Sequence, residues 1–181
     1  ISGSTVISGS LTVNNLSGSF FKDFITVGRC LKIHEVGIRA IGIGRDTFKN
    51  GGSSQGGLTI GDQSMCDANG VRNTAVGSCA MQKGGYDSVA IGNKALQRNY
   101  GSNSIAIGSS ALSSGATGGV MGGRNIAIGA YAMRNTSAGC LNVGIGTFNL
   151  CTNRFGNCNT AIGQFSLSNL RSFSAGISDG N

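Results

Sequence analysis

Eight copies of one short pattern dominate this chain and restrict it to folds built by stacking. The clearest run is "SNSIAIGSSALSSG" (residues 102–115). There a glycine directly follows Ile-Ala-Ile, and a large apolar residue comes four positions later. Anchored on that glycine, copies recur at Gly44, Gly61, Gly77, Gly92, Gly108, Gly129, Gly146 and Gly163, in steps of 17, 16, 15, 16, 21, 17 and 17 residues. A period near 16 is too short for a helical hairpin and suits one coil of a β-solenoid.

The residues around each anchor alternate. Immediately before it stands Ile43, Ile60, Val76, Ile91, Ile107, Ile128, Ile145 or Ile162. Second before it the residue is small: Gly42, Thr59, Ala75, Ala90, Ala106, Ala127, Gly144 or Ala161. Third before it is an aliphatic residue or Thr, and fourth before it a small or polar one such as Ser88, Ser104 or Asn125. Period-two alternation predicts a strand. The large β-branched face is read as an aliphatic ladder in the roll core. The uniformly small face predicts close approach of another backbone, either inside a flattened coil or between chains.

The glycine ends the strand, where it can adopt a positive φ or make room for a turn that a Cβ would obstruct. Four residues later the second inward residue follows: Phe48, Met65, Met81, Leu96, Leu112, Met133, Leu150 or Leu167. It closes the coil from the opposite wall. Each copy is therefore strand, turn and second wall. Eight coils spaced at about 4.8 Å would make a rod of roughly 40 Å. A single coil could not offset its own ordering entropy, so stacking is required.

Composition agrees. Gly is 32 of 181 residues, Pro is absent and Glu occurs once, at Glu35, so long solvent-facing helices are not expected. Three segments are distinguished. Residues 1–37 form a strand-rich neck or cap, with another strand pair at 24–36. Residues 38–167 form the roll. Residues 168–181 begin a further coil, with Ile177 in the ladder position, or form a tail. The chain starts without Met and stops in an unfinished repeat, which suggests a piece of a longer polypeptide.

"DSVAIGNKAL" (87–96), "NSIAIGSSAL" (103–112) and "CNTAIGQFSL" (158–167) resemble the head repeats of YadA-like trimeric autotransporter adhesins. Similar copies occur in fibres of phages and large viruses. The resemblance covers about residues 38–167. It implies an all-β, left-handed parallel β-roll, homotrimeric about a common axis, with the small-residue face as the place of close chain approach. It implies a structural or adhesive module of a virion fibre or spike at the virion surface, with other fibre proteins and a cell-surface glycan or protein receptor as partners. The alternative is the head of a bacterial adhesin at the outer-membrane surface. Steps of 16–17 residues and six Cys favour the viral fibre.

Other chemistries find little support. The one His, His34, lies four residues from Cys30, with nothing else to activate a thiol. The carboxylates are few and scattered, which argues against glycoside cleavage. "KGGYDSVAIG" (83–92) matches a calcium-roll repeat once, without the Asp elsewhere. Thr74 and Thr160 stand alone in a column that is otherwise aliphatic, against a ranked ice-binding face. No enzyme, cofactor or metal site is read. The net charge of +7 comes without a block of like charge and reads as a solvated basic surface, not a nucleic-acid interface. No run of 18 apolar residues is present, so no membrane insertion is expected of this segment. The six Cys include no C-x-x-C pair and are read as free or interchain thiols.

Two surfaces are candidates for contact. Tyr131, Phe148 and Phe165 occupy one turn position in three successive copies and should stack in a column, with Arg134 or Arg154 nearby. They could bind sugar rings or another protein, or they could cover a trimer seam or the adjacent coil. The insertion at 113–124, which carries Met121, is the other.

Overall fold

A computed structural model describes residues 24–27, 40–50, 56–68, 70–98, 101–113, 122–136, 139–151 and 156–168. The strands are β1 (Phe24–Val27), β2 (Ala40–Ile43), β3 (Leu58–Ile60), β4 (Thr74–Val76), β5 (Val89–Ile91), β6 (Ile105–Ile107), β7 (Ile126–Ile128), β8 (Val143–Ile145) and β9 (Thr160–Ile162). They form one parallel sheet in chain order. The fold is a parallel β-solenoid, and no helix occurs among the described residues.

Register follows the repeat. Ile91 pairs with Ile107, Ile107 with Ile128 and Ile128 with Ile145, so the same position recurs from coil to coil. β1 extends the series, with Ile25 opposite Ile41 and Val27 opposite Ile43. The sequence signal for it was Val27-Gly28, sixteen residues before Gly44. The strand is part of the repeat sheet, and the rest of the strand pair expected at 24–36 lies outside the described residues. The remainder of the N-terminal segment, and the further coil expected at Ile177, lie outside the described residues.

The coil interior is narrow, and this reverses one expectation. Ala75, Ala90, Ala106, Ala127 and Ala161 are buried. The expected core residues Ile43, Ile60, Ile91, Ile107, Ile145 and Ile162 instead point outward and are 37–69% exposed in the chain. Val76 and Ile128 are half-buried. The small face therefore packs inside the coil, not against another chain. The cause is the opposite wall. A Cβ at Gly42 would come within 3.1 Å of the Phe48 ring, and one at Gly144 within 2.5 Å of Asn149 Oδ1. In those two coils even a Cβ is crowded, and in the others the position holds buried Ala or Thr and nothing as large as Ile.

The opposite wall supplies the apolar filling. Phe48, Met65, Met81, Leu96, Leu112, Met133 and Leu150 form a buried column, with Leu167 partly buried at its end. Each such burial contributes roughly 1.5–3 kcal/mol. These residues hold φ between 45° and 54°, a left-handed conformation uncommon for side chains of this kind. The second residue after each anchor is left-handed too, from Asp46 to Phe165. Hydrogen bonds to both neighbouring coils offset this strain. Gly108 N–H donates to Ile91 O at 2.8 Å, Ile105 N–H to Asn125 O at 2.9 Å and Leu112 N–H to Ala132 O at 2.9 Å.

The small polar residue fourth before the anchor also faces inward, where it continues a hydrogen-bond ladder. The Asn142 amide N–H donates to Asn125 Oδ1 at 2.9 Å, and the Asn159 N–H to Asn142 Oδ1 at 2.9 Å. Ser88 and Ser104 fill the same role with hydroxyl acceptors. Each rung accepts from the coil that follows. Asn159 Oδ1, the last described rung, is buried and has no donor among the described residues.

Exposed ion pairs also join neighbouring coils. Arg45 grips Asp62 with both nitrogens at 2.9 and 2.7 Å, and Arg72 grips Asp87 in the same way. Hydrogen bonding to the guanidinium holds each carboxyl below its ordinary value of 3.8. A depressed folded-state value means that the stabilisation is complete above pH 3.8 and fades as pH falls through that value towards the folded one. The melting temperature should therefore fall modestly on acidification below about pH 4, and fall less in an Asp62→Asn/Asp87→Asn variant. Equal acid sensitivity in the two proteins would refute this assignment.

Candidate functional site

Two features of the solenoid surface stand out geometrically. The first is the outward face of the sheet. Strand alternation places the residues first and third before each anchor in two adjacent columns, with Ile41, Ile105 and Ile107 among the exposed members. From β2 to β9 the stripe runs roughly 34 Å at the usual spacing of parallel strands. Every position in it is Ile, Leu, Val or Thr. A contiguous apolar stripe without charge marks an association surface. It was legible as a ladder in the sequence, but its outward direction was not.

The second is the aromatic column. The Tyr131 and Phe148 rings stack at 4.7 Å between centroids and 7° between planes, and Phe148 and Phe165 at 5.4 Å and 9°. The Arg134 guanidinium lies 5.2 Å from the Tyr131 centroid. Tyr131 and Phe148 are half-buried, and Phe165 is 56% exposed. The spacing follows the coil rise, so the rings spend their faces on one another. What they offer to solvent is mainly ring edges, together with the open face of Phe165. This suits a ladder that clamps the last coils together, at about 0.5–1.5 kcal/mol per pair. Arg154 and Met121 lie outside the described residues, as do Cys30 and His34.

Among the described residues no group of three His, Cys, Asp or Glu is placed to hold a metal ion. Asp87, from the single calcium-like match, has its carboxylate engaged by Arg72. Cys66, Cys79, Cys140, Cys151 and Cys158 are free thiols in the chain. Burial, and secondarily the charge of Asp67, pushes the Cys66 thiol up to about 11, which leaves it a packed side chain and not a nucleophile. No helix among the described residues is long and apolar enough to cross a membrane.

No family model, no curated protein and no solved structure matches the chain. The functional reading therefore rests on the geometry of the surface and on the repeat itself.

Proposed function

We propose that this chain is a structural and adhesive module of a virion fibre or spike, assembled as a homotrimer of left-handed β-rolls of about eight coils. The observation that carries this reading is the outward aliphatic stripe. It lies on the rigid wall of the solenoid, contains no charge and repeats at the coil spacing. A second copy in parallel orientation presents the same stripe at the same spacing, so the two match coil for coil. Three copies around an axis would cover the stripes together, and the resemblance of the repeats to trimeric heads supports that number. The stacked backbone supplies stiffness along the axis, which suits a projecting fibre. The exposed aliphatic stripe is chemistry suited to contact.

Native mass spectrometry of the purified chain tests the assembly. The expected mass is about 55 kDa, three times the 18.3 kDa chain. It should be unchanged by reductant if the aliphatic stripe, and not a disulfide, holds the copies together. A monomer at micromolar concentration would overturn both the trimer and the fibre reading.

A further inference from the structure

The charge of the roll is segregated along its axis. Between Asp87 and Asp179 the chain holds six Lys and Arg and no Asp or Glu. Arg124 in that half has no carboxylate of its own chain within ion-pair distance among the described residues. Three cations nearer the N-terminus do: Arg45 with Asp62, Lys49 with Asp46 and Arg72 with Asp87.

One column of the solenoid supplies an internal comparison. Arg72, Asp87, Asn103, Arg124, Leu141 and Cys158 each stand fifth before an anchor, and all adopt a positive φ. Arg72 reaches forward and grips the Asp87 carboxylate of the next coil with two nitrogens. Arg124 occupies the equivalent position, but the next coil presents Leu141 in place of the acid. An open cleft of about 400 Å³ adjoins it, lined by Ser102, Asn103, Gly123, Arg124, Cys140 and Leu141. Gly123 brings its coil close to the preceding one, where a Cβ would lie 2.5 Å from Ser102 O. Leu141 is 49% exposed beside it. Tyr86, 51% exposed, stands in the adjoining coil and accepts the Asn103 N–H at its carbonyl.

We infer that this cleft binds a carboxylated sugar, such as a sialic or uronic acid, with Arg124 gripping the carboxylate as Arg72 grips Asp87. The planar guanidinium fork fits a carboxylate bidentately. Ser102 and Asn103 supply polar groups for hydroxyls, and Leu141 supplies apolar surface for the face of a sugar ring. The cleft volume is at the lower end of that usual for small-molecule sites, suited to one or two sugar units. The inference rests on the attachment reading and names its ligand class.

The test is titration of the full chain, by calorimetry, with sialyllactose, trigalacturonic acid, neutral lactose and sucrose octasulfate, an anionic sugar without a carboxylate. At least one carboxylated probe should bind, and lactose should bind at least tenfold more weakly. Arg124→Ala should weaken the carboxylated probe tenfold or more. Arg124→Lys, which keeps the charge but loses the fork, should restore only part of that loss. Lys94→Ala should leave binding unchanged. Failure of both carboxylated probes, or equal binding by the Arg124→Ala protein, would overturn the inference. So would tighter sucrose octasulfate binding that ignores Arg124, because that outcome means diffuse electrostatics. Native mass is measured on the same samples. A loss of assembly in Arg124→Ala would make this residue a chain-contact group and overturn the sugar site. A monomeric parent protein that still binds the acid sugar through Arg124 would overturn the fibre reading alone.

Discussion

Gly108→Ala should unzip the middle of the solenoid. An added Cβ at this position would lie 2.5 Å from Gly129 O and 2.6 Å from its carbonyl carbon, at a φ of +132°. The obstruction is the backbone of the next coil, which is held by its own hydrogen bonds and cannot rotate aside. Backbone strain contributes about 1–3 kcal/mol, and the overlap adds more, for a loss of roughly 3 kcal/mol or more. Against a usual total of about 5–15 kcal/mol, that is a large fraction. Gly163→Ala is the control within the same molecule. Its φ is +114°, but an added Cβ there meets no atom within 4 Å among the described residues. It should lose only the conformational part, about 1 kcal/mol. Urea midpoints of the two variants check this, and equal losses would refute the coil-contact explanation.

Leu112→Ala and Ile107→Ala should separate coil stability from assembly. Leu112 is fully buried in the column that fills the coil, so its truncation should cost about 2–5 kcal/mol. That loss should be the same at every protein concentration, because the cavity lies within one chain. Ile107 is 37% exposed on the outward stripe. Its truncation removes surface that the proposed partner chains would cover. The Ile107→Ala loss should therefore shrink as the protein is diluted towards monomer, as mass action requires for a subunit contact. Denaturation at two concentrations, a hundredfold apart, distinguishes the two behaviours. A concentration-independent loss for Ile107→Ala would remove the stripe from the interface.

The reversal of the two strand faces shows where residue patterns stop being sufficient. Alternation in "NSIAIG" (103–108) establishes that Ile105 and Ile107 share one face and Ala106 the other. It carries no sign. Large apolar residues ordinarily go inside, which on sequence alone places Ile107 in the core. The assignment fails because the core of this coil is not a space between distant layers. Its two walls lie so close that Leu112 from one wall already fills the gap, and only Ala fits opposite. Likewise, Tyr131, Leu112 and Lys94 carry no residue-type signal for a positive φ, yet all three adopt one. The hydrogen bonds of the stack impose that conformation. The Arg124 cleft was illegible for a related reason. Its lining comes from three successive coils, and the absence of a partner acid shows only when Arg72 and Arg124 are placed in the same column.

The sequence by itself determined the repeat, the strand positions and the parallel register. A glycine required by close backbone approach at a fixed interval leaves few other solutions. It also determined that Leu96, Leu112 and Leu150 stand at equivalent positions in the second wall. Only the tertiary structure decided which face is inside, because that depends on the distance between walls, a property of the wound coil and not of any single strand.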